Sequence, residues 1–168
     1  MHVEVEDFLH RHAMDVIWRG ARVVEVGSLN VNGQARDHVP GGWSEWIGVD
    51  LIEGPGVDFV GPATEVLPTL GKFDIVVSTE VLEHDPEWRA TVRSMADCLN
   101  PDGTLILTCA GDGRHPHAAD GSGPPHAGEY YENVGLAALL PVLHDAGLSV
   151  THAEAGAPGD TRVVATKP

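Results

Sequence analysis

Basic side chains and cysteines are both scarce in this chain, and each shortage removes a class of explanation. Ten Lys and Arg stand against 25 Asp and Glu, a formal charge of −15 over 168 residues. Nucleic-acid binding relies on cations that neutralise phosphates, so this balance counts against DNA or RNA as a substrate. The two cysteines, Cys98 and Cys109, fall in apolar periodic segments. They match neither a metal spacing nor a secreted disulfide framework and are expected to be reduced core residues. No 18 apolar residues run together, which excludes a membrane-spanning helix. The opening MHVEVEDFLHRH is charged and lacks the apolar stretch of a signal peptide. These absences predict a cytoplasmic chain.

What is present is a series of short β-branched runs separated by helical periodicity. Val5, Phe8, Leu9, Ala13, Val16 and Ile17 recur at helical spacing, which predicts an amphipathic helix over 3–18 ended by Gly20. ARVVEVG (21–27), WIGVDL (46–51), VDFV (57–60), FDIVVS (73–78) and TLILTCA (104–110) read as strands. Asp85 and Pro86 are the expected N-cap and first residue of a helix whose buried stripe is Trp88, Val92, Met95, Ala96 and Leu99. Another helix is expected from about Asn133 to Ala146, kinked or split at Pro141. The chain ends in LSVTHAE and TRVVATK, two strands whose connection is too short for a crossover helix, so they must pair antiparallel. The fold class is therefore α/β: a Rossmann-like, doubly wound, mostly parallel seven-stranded sheet with a C-terminal antiparallel hairpin, covered on both faces. A single domain spans 1–168. Within it, 1–20 forms a lid helix, and the Gly-, Pro- and His-rich segment 111–131 forms a substrate-side loop.

Ligands of such sheets bind outside the carboxyl ends of the strands, where strand order reverses. Three segments converge there. EVGSLNVNG (25–33) follows the first strand, and Gly27 permits a tight turn with free N–H groups. Asp50 ends the second strand and can accept hydrogen bonds from ribose hydroxyls. STEVLEH (78–84) follows the fourth strand.

With VVEVGS, WIGVDL, FDIVVSTEVLEH and LNPDGTLILT in place, the whole chain resembles the class I S-adenosylmethionine-dependent methyltransferases. The resemblance implies S-adenosyl-L-methionine as cofactor. It implies that Glu25 orients the methionine amino group, that Gly27 packs against the cofactor, and that Ser28, Asn30 and Gly33 supply the turn. Asp50 would hold the ribose, Leu51 and Ala63 the adenine, and Ser78, Thr79, Glu80 and Val81 the methionine side. The chain departs from the family in two places: Leu29 and Val31 stand where later glycines are usual, and Pro62 stands where an adenine-binding Asp is common.

For catalysis, a base is needed only when the acceptor has a proton to lose. His84 is the candidate by type and position, with Glu80 beside it and Tyr130 (or Tyr131) on the acceptor wall. Glu80-x-x-Glu83-His84 also resembles the divalent-metal motif of small-RNA 3′-end and some ubiquinone-pathway methyltransferases, with His115, His117 and His126 available from the loop. Metal is the less favoured reading, because acids at a helix start are favoured by its dipole without any chemistry. The expected acceptor is a small-molecule O or N nucleophile. A metal-dependent RNA ribose methyltransferase and a non-catalytic S-adenosylmethionine-binding module are the alternatives. With no separate substrate domain, the open site leaves room for a partner or a second copy to complete its wall.

Overall fold

Alternate residues of each apolar run find a buried face on opposite sides of one sheet, and that alternation selects the strands. The computed structural model describes residues 2–168, so Met1 of the expected lid lies outside the described residues. The strands are β1 (Arg22–Val26), β2 (Glu45–Asp50), β3 (Phe59–Val60), β4 (Phe73–Thr79), β5 (Leu99–Ala110), β6 (Ser149–Gly156) and β7 (Asp160–Thr166). They lie in the order β3-β2-β1-β4-β5-β7-β6. The first five run parallel, and β7 is antiparallel to both β5 and β6. The chain winds outward from β1 to β3 and returns to place β4 beside β1, so the switch point lies between β1 and β4.

Both faces are covered, but unequally. Val24, Val26, Val76, Leu105 and Leu107 pack under α2 (Ala63–Leu70), α3 (Trp88–Cys98) and α4 (Leu136–Asp145). Val23, Ile75, Val77 and Ile106 on the other face meet only one α-helix, α1 (Val3–Ala13). The long connection from β1 to β2 completes that side with Ala35 and Val39, helped by Trp18, Trp43 and Trp46. Cys98 and Cys109 are free and buried, as expected. No helix among the described residues is long and apolar enough to cross a membrane.

Several expected boundaries move. Helix α1 stops at Ala13 rather than 18, where the Trp18 indole N–H donates to the Ala13 carbonyl at 2.7 Å and takes over one orphan acceptor. The 57–60 strand shrinks to Phe59–Val60. Helix α3 begins at Trp88 with Glu87 as its N-cap and no side-chain cap, so Asp85 and Pro86 lie before the helix, where Asp85 accepts the Glu87 N–H at 2.7 Å and the Thr91 hydroxyl. Helix α4 runs unbroken through Pro141. Helix α2 was not anticipated: it has only eight residues and carries Pro68 inside, which masks its periodicity.

Candidate active site

The switch point is assembled by backbone geometry first. Gly27 turns the chain at φ +81°, and the Gly27 and Ser28 N–H groups both donate to the Val49 carbonyl, at 2.8 and 3.2 Å. A Cβ on Gly27 would lie 2.0 Å from Val81 Cγ2, so glycine alone lets the segments after β1 and β4 approach this closely. The Asp50 carboxylate fastens the same turn, accepting Leu29 N–H on one oxygen and Ile52 N–H on the other, both at 3.0 Å. Each oxygen keeps a second lone pair for a ligand. Asn30 accepts Gly33 N–H at 3.0 Å, which closes the turn without the missing glycines.

Around this turn stand the other residues the resemblance singled out. Ser28 and Ser78 are buried, and neither hydroxyl has a hydrogen-bond partner. Ala63 opens α2 and is buried, whereas Leu51 is 65% exposed. Glu25 sits on the α1 side of β1, with Ala35 N–H donating to one oxygen and the Trp46 indole N–H to the other, each at 3.0 Å. Burial pushes its carboxyl above the ordinary range, and these two donors pull it partly back. Glu25 thus anchors the β1–β2 connection and retains one lone pair per oxygen.

The segment after β4 sends its two glutamates into different surroundings. Glu80 has φ +57° and accepts from the Thr108 hydroxyl at 3.0 Å. Its other oxygen lies 3.3 Å from His2 Nε2 and 3.9 Å from Arg114 Nη2. Arg114 in turn donates to Asp160 at 2.8 Å. Burial alone would raise the Glu80 carboxyl, but the His2 imidazole, the Thr108 hydroxyl and Arg114 outweigh it and hold the group below the usual range. Glu83 is wholly buried, and among the described residues no side chain hydrogen-bonds to either of its oxygens. Burial, reinforced by the Glu80 charge, pushes it well above the ordinary range.

Beside Glu83 three rings pack edge to face. His84 and His117 lie 5.1 Å apart between centroids, and Tyr131 lies 5.4 and 5.2 Å from them. Burial and then the His117 imidazole lower the His84 pKa, so this ring is neutral at neutral pH. Its Nδ1 is buried without a hydrogen-bond partner. The Tyr130 hydroxyl donates to Glu132, which pushes it up to about 12. His126, grouped with the possible ligands from sequence, turns its ring to Asp120 at 3.1 Å. His2, Arg114 and Asp160 escaped sequence reasoning. They lie far apart in the chain, in no shared motif, and meet only because β4, β5 and β7 are neighbours.

The sequence profile of the methyltransferase domain matches residues 4–153. The chain belongs to the class I S-adenosylmethionine-dependent methyltransferases. No curated protein matches this methyltransferase by sequence. Among solved structures it is similar to the Burkholderia thailandensis 1,6-didemethyltoxoflavin-N1-methyltransferase, with bound 1,6-didemethyltoxoflavin and S-adenosylhomocysteine. Identity is 21%, coverage 98% of this chain and 77% of that one, and the TM-score 0.70. The magnesium protoporphyrin IX methyltransferase of Synechocystis PCC 6803, with bound S-adenosylmethionine, gives 18% identity, 98% and 79% coverage and a TM-score of 0.70. An S-adenosylmethionine-dependent methyltransferase from Mesorhizobium loti gives 17%, 96%, 98% and 0.70. At these identities the likeness speaks for the fold, and the domain match for the activity class.

Proposed function

We propose that this methyltransferase binds S-adenosylmethionine across the 27–33 turn, Asp50 and the 78–81 segment, and passes the methyl group to an oxygen or nitrogen of a small molecule. The observation that carries the acceptor class is the charge around Glu80 and Glu83. Glu129, Glu132 and Asp160 line the same side, and the guanidinium groups there, Arg114 and Arg162, are ion-paired with Asp160. Among the described residues, acids outnumber cations in that lining, and the cation beside Tyr130, Arg89, is stacked on the Trp88 ring, so a polyanion is disfavoured there. The toxoflavin-type and porphyrin enzymes among its structural neighbours act on small molecules by name, which agrees with this reading.

In the reaction the acceptor atom attacks the sulfonium methyl in line. The new C–O or C–N bond forms as the S–CH3 bond breaks, and S-adenosylhomocysteine leaves as a neutral thioether. The site contributes mainly position, bringing nucleophile and methyl to about 3–3.5 Å. His84, neutral and with a free Nδ1, is the group assigned to receive the acceptor's proton. Glu80 and Tyr130 then serve to shape the pocket.

Calorimetry with S-adenosylmethionine and S-adenosylhomocysteine, followed by product release over a panel of phenols, amines and a short RNA, tests this directly. The expected results are heat with both nucleosides and turnover with a phenol or an amine. Asp50→Ala should weaken donor binding about 10- to 100-fold, the value of a charge-assisted hydrogen bond of about 1.5–3 kcal/mol. Absence of heat rejects the cofactor site. Heat without turnover on any acceptor makes the chain a binding module, and turnover on RNA alone rejects the small-molecule assignment.

A further inference from the structure

We propose that Glu83, His84 and His117 form a site for one divalent first-row transition ion of the Zn2+, Co2+ or Ni2+ kind. One ligand atom from each of these residues lies within 4.8 Å of the others. Glu83 is fully buried, no side chain hydrogen-bonds to either carboxylate oxygen, and among the described residues no lysine or arginine forms an ion pair with it. A buried carboxylate without a partner is costly, and a cation held between it and two imidazoles satisfies it. His117 is already oriented for the task. Its Nδ1 donates to the His115 carbonyl at 3.2 Å, which leaves Nε2 as the lone-pair nitrogen, 3.9 Å from Glu83 Oε1. Tetrahedral binding at the usual Zn–N and Zn–O lengths needs donor spacings of about 3.3–3.5 Å, so a pair of donors closes by up to about 1.5 Å, shared between the two. The glycine-rich loop that carries His117 can supply that movement.

The neighbouring group His2, Glu80 and Asp160 has the same kind of donors within the same reach. It differs in one decisive respect, because Arg114 Nη1 sits 2.8 Å from Asp160 and 3.3 Å from His2 Nε2. A guanidinium already provides the positive charge there. Two imidazoles with one carboxylate also set the class of ion, since Mg2+ and Ca2+ prefer all-oxygen surroundings whereas imidazole suits Zn2+ and its neighbours. Glu80, drawn from the same motif, belongs instead to the group beside Arg114, and His117 takes the place that the motif left open. Three protein ligands leave a coordination position vacant for a water or an acceptor group. An imidazole that ligates an ion is not free to take a proton, so His84 acts as base only in ion-free protein.

The full chain, treated with a chelator and dialysed, is titrated with Co2+ by visible absorption and with Zn2+ by calorimetry, with Mg2+ as competitor. The expected result is one equivalent of Co2+ with the intense bands of low coordination number, displaced by Zn2+ and not by excess Mg2+. Loss of an outer-shell group alone costs about 10- to 100-fold in metal affinity, so Glu83→Gln and His117→Ala should each cost about a hundredfold or more. His126→Ala should leave the affinity unchanged. Binding of S-adenosylhomocysteine, measured on every variant, reports folding, and Glu83→Gln keeps the side chain's shape if His117→Ala does not fold. The proposal is overturned by absence of stoichiometric binding, by unaltered affinity in Glu83→Gln, or by loss of binding in His126→Ala. The site stands on donor geometry and not on methyl transfer. Metal binding without nucleoside binding would reject only the function, and the reverse would reject only the ion site.

Discussion

Glu80 and Glu83 are three residues apart in one motif, yet the fold treats them as opposites. Glu80 is gathered into a network of His2, Thr108 and Arg114 and held ionised. Glu83 is enclosed with no side-chain hydrogen bond to either oxygen, and burial pushes its carboxyl well above the ordinary range. The cause is the direction each side chain takes from the end of β4. Glu80, at φ +57°, faces the ends of β5 and β7, where the charged loop residues collect. Glu83, in the short 3-10 turn Leu82–His84, turns beneath the 111–131 loop. Spacing within a motif therefore does not imply a shared job, and a carboxylate's role follows from what the tertiary structure sets opposite it.

The sharpest way to break this comparison is to neutralise each acid in turn. Glu80→Gln removes the charge that compensates His2 and Arg114, and the loss should be about 2–4 kcal/mol in urea unfolding, toward the low end because Asp160 still pairs with Arg114. That loss also has a pH signature. The folded Glu80 carboxyl titrates below its ordinary range, so its contribution is present at neutral pH and disappears as pH falls through the folded value. An equal loss at neutral and at strongly acid pH would contradict the network. Glu83→Gln removes no side-chain hydrogen bond, so in chelator-treated protein the unfolding free energy should shift by no more than about 1 kcal/mol at neutral pH, in either direction. With Zn2+ present the wild type gains stability and this variant does not, which turns a small difference into a large one.

A finer probe is His2. Its hydrogen bond to Glu80 is the largest cause raising its pKa above 6.5, with Glu4 and Asp160 adding to the effect and burial opposing it. A raised folded value means that stability is fully present below about pH 6.5 and is lost as pH rises through the folded pKa. His2→Gln should therefore cost about 0.5–1 kcal/mol in mildly acidic urea melts and nothing in alkaline ones. The smallest effect belongs to the exposed pair His126 and Asp120, where His126→Ala should leave the thermal midpoint unchanged.

Much of the architecture was legible in the chain itself. FDIVVS and TLILTCA became the central strands β4 and β5, and the closing pair became an antiparallel hairpin, because β-branched runs and a short connection leave few alternatives. Gly27 and Asp50 could be placed at the switch point for the same reason. Helix α2 was not legible, since Pro68 interrupts an eight-residue pattern too short to show its period. Nor was the unequal covering of the sheet, where tryptophans and an irregular connection stand in for helices.

What the sequence determined by itself was the order of the strands and of helices α1, α3 and α4, the glycine turn and the acidic surface, because these follow from local periodicity, backbone freedom and composition. What only the tertiary structure decided was which side chains meet: His2 with Glu80 and Asp160, and His117 with Glu83. Those meetings depend on strand order and on the path of one long loop, which bring together residues separated by 34 to 158 positions. No local pattern records such distances, because the energy that brings the residues together comes from burying the whole sheet and not from the residues themselves.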